Sequence, residues 1–459
     1  MSTDLERDPV TARQPVARVE DLRTWFADGC KPRSRWGIGL EYERLGVFRD
    51  SGEAIPYAGP HSVSALLEDL AGQGWQAYRE DGHPIALSRD ATFITLEPGG
   101  QTEFSSRIHH DLSELRDDLC QFLTDLNAIS APHDISWLGL GLQPFSTRDD
   151  IPWVPKKRYE LMSAHLATTG RLGHDMMKRT AGIQVNFDYR SEEDAAAKFR
   201  ALMGVSPLIT ALFANSPLAE GRPTGKMSSR AAIWQDTDPA RCGLLRLAFT
   251  DAPFFDAYLD YALDVPAMFV VRQGQWHAVG IPFRRFIEDG HAGLTATRRD
   301  WEMHLTTLFP DVRMKKFLEA RCADSAGAGL AMAQVAMLCG IVYDDTATAR
   351  TWDLVRDLTF DERQALHREV ANDGLAARLR GRPILDLAGE LVDIARAGLT
   401  RSHPDSDREV AFLTPLVKIL REGRSPARLL LEHWETDLDH DPARLVEHLS
   451  KLNLRCYET

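Results

Sequence analysis

The segment IGLEYERLGVF (38–48) places Glu41 and Glu43 two residues apart in an alternating run. On an extended strand, side chains i and i+2 point to the same face, so two carboxylates would stand side by side. Like charges so placed need a compensating cation, and paired carboxylates with waters suit Mg²⁺. A solvated strand face would show the same alternation. A second acidic pair, Glu97 and Glu103, flanks the Pro98-Gly99-Gly100 turn. If the chain reverses there, both acids reach one side of a sheet; otherwise they decorate an exposed hairpin. In Gln184-Val185-Asn186-Phe187-Asp188 the polar side chains share one face and Val185 and Phe187 the other. Amide oxygens can ligate a metal or hold a ligand, although a hydrated outer face gives the same pattern. Glu319 and Arg321 share a face if FLEAR is extended. The carboxylate would then join a metal cluster, and the guanidinium would grip a carboxylate or phosphate. In a helix the two would form an ordinary surface ion pair.

These groups need elements to carry them. VARVEDLRTWFADGCK (16–31) has a helical stripe at Val19, Leu22, Trp25 and Phe26, stopped by Lys31-Pro32. Residues 61–72 form a helix, ATFITLEPGGQTEFSS (91–106) two short strands around a turn, LSELRDDLCQFLTDLNAI (112–129) an amphipathic helix, and ISWLGLGLQP (135–144) a buried strand. RYELMSAHLATTG (158–170) reads as helix and RTAGIQVNFDYRS (179–191) as strand. A long helical stretch follows, with Ser191 placed to cap it. From about residue 344 onward, helix follows helix. The expected organisation is an N-terminal arm (1–17), an α+β catalytic core (18–345) and a helical C-terminal region packed on that core (346–459).

With 54 Lys and Arg against 67 Asp and Glu, the net charge is −13, which argues against non-specific nucleic-acid binding. An acidic chain can still bind ATP, because phosphate sites are local. No run approaches the roughly 18 consecutive apolar residues of a membrane span, and the polar N-terminus lacks the apolar region of a secretory signal. The six cysteines are far apart and lack a C-x-x-C, so a reducing cytoplasm is expected. GRPTGKMS (221–228) fails as a phosphate loop: its glycine spacing is one short and Met227 stands where Ser or Thr is needed. The chain has no G-x-S-x-G and no H-E-x-x-H.

Taken in order, GIGLEYERLGVF, ITLEPGGQTEFSS, KKRYELM with GRLGHDMMKRTAGIQVNFDY, ALFANSPLAEGRPTG, SSRAAIWQDTDPARCGLL, YALDVPAMF and WEMHLTTLFPDVRMKKFLEARCAD resemble the glutamate–cysteine ligases of plants and proteobacteria. The resemblance runs from about residue 36 to 345, and more weakly through KILREGRSPARLLLE (418–432).

The resemblance implies a glutamine synthetase-like carboxylate–amine ligase fold: a curved antiparallel sheet forming a funnel flanked by helices, with magnesium ions at its floor. It implies synthesis of γ-glutamylcysteine from L-glutamate, L-cysteine and ATP, the first step toward glutathione. Glu41, Glu43, Glu97, Glu103 and Glu319 become the expected metal ligands. Gln184 lies where distant relatives use a histidine. Arg230 and Arg321 match arginines near the transferred phosphoryl group and the glutamate. Arg158, Lys178, Arg179 and Asn186 are candidates for ATP contact, or else part of a solvated patch at a sheet edge. Gln184, Tyr159 and Trp234 are candidates for substrate contact, with aromatic core packing an equal alternative for Tyr159 and Trp234. Thr102, Ser106 and His174 depart from the family pattern and could alter the acceptor pocket. Cys120 matches one cysteine of the plant redox bridge, with no partner assigned. The expected assembly is a monomer or homodimer, without nucleic-acid or membrane partners. Two other readings stay open: a γ-glutamyl ligase with a different amine acceptor, and a silent relative that binds nucleotide.

Overall fold

A computed structural model describes residues 16, 18–402 and 407–453. Its centre is an antiparallel sheet of nine strands: β1 (Ile38–Phe48), β2 (Gln76–Glu80), β3 (His83–Arg89), β4 (Thr92–Leu96), β5 (Thr102–Ser105), β6 (Ile135–Leu138), β7 (Gly182–Phe187), β8 (Val312–Met314) and β9 (Leu318–Asp324). The order is β8-β9-β7-β1-β5-β4-β3-β2, with β6 paired to the C-terminal half of β1. β1 is long enough to pair with β7 and β5 near its start and with β6 near its end, so it organises the whole sheet.

Alternation in the sequence decides the faces. Leu40 and Tyr42 of β1, Ile94 and Leu96 of β4, Phe104 of β5, and Ile183, Val185 and Phe187 of β7 point to one side and are at most 1% exposed. Burying each such side chain contributes roughly 1.5–3 kcal/mol. This layer is covered by the helices α3 (Leu112–Ser130) and Ala328–Val342, which also touch each other. Slipping the register by one residue would drive Glu41 and Glu43 into the apolar layer, so the hydrophobic pattern fixes which face carries the acids.

The remaining early helices are α1 (Glu20–Ala27), α2 (Val63–Gly72), α4 (Lys157–Leu166), α5 (Gly173–Arg179), α6 (Glu192–Leu212) and α7 (Ser229–Trp234). α1 ends at Ala27, ahead of the Lys31-Pro32 stop expected from the sequence. The buried strand expected over 135–144 is regular only across Ile135–Leu138. α6 is N-capped by the Ser191 hydroxyl, which accepts from the Asp194 N–H. α6 is also the one described helix long and apolar enough to cross a membrane, yet 83% of that stretch is buried, as befits a core helix.

After residue 344 the described chain is almost wholly helical, from Asp345–Asp353 to Pro442–Asn453. One apolar cluster runs from Val16 through these helices to Ile419, and a second joins Leu45, Val47 and Leu138 to Leu430, Trp434 and Leu445 of the last two helices. Of the expected N-terminal arm, residues 1–15 and 17 lie outside the described residues. Val16 is buried, and its N–H donates to the Ala296 carbonyl at 3.0 Å.

Candidate active site

Cross-strand register carries the polar face of the sheet from strand to strand. Glu43 lies opposite Glu103, and Glu103 opposite Thr95. Glu41 lies opposite Ser105 on one side and Gln184 on the other. Asn186 lies opposite Glu319, and Glu319 opposite Arg313. Residues from Glu41 to Glu319 thus become neighbours, because pairing partners share a face.

Above this face is a cavity of about 650 Å³, counting the space at its mouth. Glu41, Glu43, Glu97, Glu103, Gln184, Arg158, Trp234 and Arg321 line it, together with Arg313, Gln101 and Thr306 and the apolar Met162, Met176, Met177 and Phe309. Glu97 reaches it because the 98–100 turn closes through Glu97 N–H to Gln101 O at 2.9 Å. The Gln101 amide then ties the hairpin to α5, donating to the Met177 and Thr180 carbonyls. A Cβ at Gly99 would stand 2.2 Å from the Lys178 carbonyl oxygen, so that close approach requires glycine.

The acids are held in a repulsive arrangement. Burial, followed by the charges of Glu97 and Glu103, pushes the Glu43 carboxyl up to about 8. Burial and Glu103 push Glu97 up to about 7. Burial and Glu41 raise Glu103 as well, against the hydroxyls of Thr95 (2.7 Å) and Ser105 (3.0 Å), which donate to it. Glu43 accepts from Gly182 N–H at 2.5 Å and from the Gln184 amide at 2.9 Å. Asn186 donates to Glu41 at 3.2 Å, while its own Oδ1 is buried without a partner. Among the described residues no three Asp, Glu, His or Cys side chains are already closed into a ligand set. The donor chemistry nevertheless fits a hard divalent cation: clustered carboxylates with raised pKa values and an orphan amide oxygen, all oxygen ligands. Closing a shell around an ion would take side-chain rotation.

Glu319 differs from expectation. It is wholly buried, is absent from the cavity wall, and is enclosed by three cations. Arg313 donates to it at 2.6 Å, Lys315 at 2.9 Å, and Arg321 closes the third side. Burial alone would raise its pKa, but Arg313, Lys315 and Arg321 together hold it well below the usual carboxylate range. FLEAR is extended in β9, so Glu319 and Arg321 share a face, and Arg321 also donates to the Gln184 amide oxygen.

Other expected contacts fall elsewhere. Lys178 donates to the Arg148 carbonyl at 2.8 Å and lies over Trp153. Arg179 pairs with Asp175 and Glu220. Both are at the end of α5, which turns Met176 and Met177 toward the cavity and these cations away. Tyr159 is core: its hydroxyl donates to the Leu96 carbonyl. Asp188 lies past the end of β7 and pairs with Lys31 at 2.6 Å. Thr102, Ser106 and His174 are not on the wall, and Cys120 is buried in α3.

Arg230 stands in an adjoining cavity of about 400 Å³ with Asp311 and His367. Trp234, Phe309 and Arg321 border both cavities. Sequence reasoning missed Arg313 and Lys315. Their signal was present, since in VRMKK they alternate two apart, as Glu319 and Arg321 do.

The chain is similar to known proteins along most of its length. Residues 37–448 match the family described as glutamate–cysteine ligase family 2. The chloroplastic glutamate–cysteine ligase of Medicago truncatula is 38% identical over 442 residues, covering 94% of this chain and 86% of that protein. The chloroplastic enzyme of Arabidopsis thaliana is 37% identical over 447 residues, covering 96% and 84%. Among solved structures, the glutamate–cysteine ligase of Francisella tularensis in complex with AMP superposes with a TM-score of 0.57 at 16% identity, covering 92% of this chain and 89% of that one. A bifunctional glutathione synthetase from Pasteurella multocida gives 0.52 at 13% identity, covering 94% and 53%. At such identities the likeness speaks for the fold, an α+β architecture built on a large antiparallel sheet. On the family match and the plant relatives together, the chain belongs to glutamate–cysteine ligase family 2.

Proposed function

We propose that the acid-lined cavity is where this chain joins the γ-carboxylate of L-glutamate to the amine of L-cysteine, by way of γ-glutamyl phosphate. Membership of the family makes the chain an ATP-dependent carboxylate–amine ligase that forms γ-glutamylcysteine.

A carboxylate is a poor acyl donor. Phosphorylation by ATP turns its oxygen into a leaving group, and the amine then displaces phosphate. The first step brings an anionic carboxylate against an anionic triphosphate, so the site must neutralise charge and align the groups in line. Arg321 is fixed on two sides by Glu319 and Gln184 and faces the cavity. Arg158 and Arg313 reach the same wall. Such fixed guanidiniums suit the bidentate geometry of carboxylate and phosphoryl oxygens. Glu41, Glu43, Glu97 and Glu103, with the Asn186 amide oxygen, would hold Mg²⁺, which supplies positive charge against the phosphates when bound. In this reading Glu319 serves as the anchor of three cations. Met162, Met176, Met177, Trp234 and Phe309 give one side of the cavity an apolar, polarisable lining; soft Met sulfur and aromatic rings suit a thiol side chain. The compartment is proposed to be the cytoplasm, a reading supported by the wide spacing of the six cysteines and the lack of a C-x-x-C.

The observation that carries this reading is the convergence of four carboxylates and three arginines on one cavity. The test is ADP release by purified protein with Mg²⁺ and glutamate across a panel of amine acceptors. Release with glutamate plus cysteine, and none with either alone, supports it. Release with other amines but not cysteine would move the acceptor, and no release with any acceptor would sink the reading.

A further inference from the structure

Arg230 is held by an arrangement that begins at a residue the chemistry above does not use. Asp324, the last residue of β9, is 1% exposed. Its Oδ2 accepts from Asn215 N–H at 2.8 Å and the Ser216 hydroxyl at 2.6 Å, and its Oδ1 accepts from the Ser228 hydroxyl at 2.8 Å. Each serine is thereby turned so that its lone pairs face the start of α7. Ser216 Oγ accepts from the Arg230 N–H at 3.1 Å, and Ser228 Oγ accepts from the Ala231 N–H at 3.0 Å. The first N–H groups of a helix have no partner within it, so one carboxylate satisfies two of them through two hydroxyls.

The far end of Arg230 is equally constrained. Its Nη2 donates to the Arg321 carbonyl at 3.1 Å, while its Nε is buried with no partner. The guanidinium lies against Gly182, the residue opposite Asp324 in the sheet; a Cβ there would come within 2.5 Å of Nη2. Asp324 itself fits only because Gly141 has no side chain, since a Cβ at that position would stand 2.4 Å from its Cγ.

We propose that Asp324 is a positioning residue for Arg230, acting through the hydroxyls of Ser216 and Ser228 to set the start of α7. The chain of contacts runs from a carboxylate to two hydroxyls to two backbone N–H groups, and one of those belongs to Arg230. Replacing the acid by asparagine keeps the volume but puts an amide N–H₂ where an oxygen accepted, so at least one of the three donors loses its acceptor and the hydroxyl array must rearrange. The inference rests on Arg230 serving the phosphoryl side of the proposed reaction.

The test is a double-mutant cycle on glutamate- and cysteine-dependent ADP release, with urea stability measured in parallel. The variants are D324N, R230K and the pair, with S216A and S216A/R230K as a second cycle. D324N and R230K are each expected to lower kcat/KM for ATP by at least about tenfold, and the pair to fall within about threefold of R230K alone. KM for cysteine should move less than KM for ATP, because of the apolar lining only Trp234 is carried by α7, while Met162, Met176, Met177 and Phe309 are not. S216A, which leaves the carboxylate in place, should repeat the non-additivity at smaller size. If D324N does not fold, the S216A cycle decides in the same way. Losses that multiply, or D324N with unaltered kinetics in a protein that R230K impairs, overturn the proposal. Unimpaired R230K overturns it together with the placement of Arg230. A wild-type protein that releases no ADP fails the ligase reading first and separately.

Discussion

Glu43 and Glu103 occupy directly opposed positions on β1 and β5, and both are buried. Two like charges placed across a strand pair oppose folding. The repulsion is relieved by protons, and a cation held as proposed would relieve it as well. The sheet's polar face therefore couples stability to pH and, on that proposal, to metal binding.

That coupling has a defined sign. Glu43 is pushed up to about 8 and Glu97 up to about 7, from an ordinary value of 4.5. Between 4.5 and about 8 the folded metal-free chain therefore holds more protons than the unfolded chain. Folding stability is then full below about pH 4.5 as far as these groups are concerned, and falls as pH rises through 7 and 8. Urea unfolding in chelator is expected to show lower stability at pH 8.5 than at pH 6, and Mg²⁺ to restore it. Stability that is flat across this range in chelator would contradict the arrangement.

The same protons make metal binding pH-dependent. Ligating carboxylates must be ionised, so Mg²⁺ binding is expected to release protons and to tighten from about pH 6.5 to 8.5. Calorimetry in two buffers of different ionisation enthalpy reads the proton release directly.

Glu43→Gln separates catalysis from stability. Turnover is expected to fall by at least about 10²-fold, as on loss of one preorganised electrostatic group. Stability in chelator at pH 8.5 should rise, because a repulsive charge is gone. Steady-state kinetics and urea unfolding on one preparation check both.

Glu319→Gln should behave in the opposite way. It leaves Arg313, Lys315 and Arg321 without their shared carboxylate. Breaking a buried ion pair from one side costs about 3–5 kcal/mol. Unfolding in urea should show that loss even with Mg²⁺ absent, which a residue acting only as a metal ligand would not produce.

His367, from the helix Phe360–Asp373, pairs with Asp311 at 3.0 Å beside Arg230. Burial alone would lower the His367 pKa, but Asp311 outweighs it and raises it above 6.5. Its contribution to stability is full below about pH 6.5 and lost as pH rises through the raised value. The stability gap between wild type and H367Q is expected to be larger at pH 6 than at pH 9, by thermal or urea unfolding.

Much of the site was legible before any coordinates. The E-x-E of β1, the acids flanking 98–100 and the extended FLEAR each obey a period of two, and strand geometry converts that period into a shared face. Capping at Ser191 and the helical run after 344 follow from equally local rules. Local pattern cannot say which strands pair or what a side chain meets across 100 residues. Lys178 and Arg179 looked like ligand contacts, but helical geometry in α5 gave the cavity to Met176 and Met177 instead. The spacing of Glu319 offers a metal ligand, but gives no sign that β8 brings Arg313 against it and that Lys315 closes in from the turn beyond. Asp324 had no signal at all, since its role exists only once Ser216, Ser228 and Gly182 are folded around it. The sequence by itself determined the acids, their spacing and the faces they take, because these depend on backbone periodicity. Only the tertiary structure decided which charges face an open cavity and which are neutralised inside the protein, because that depends on long-range pairing.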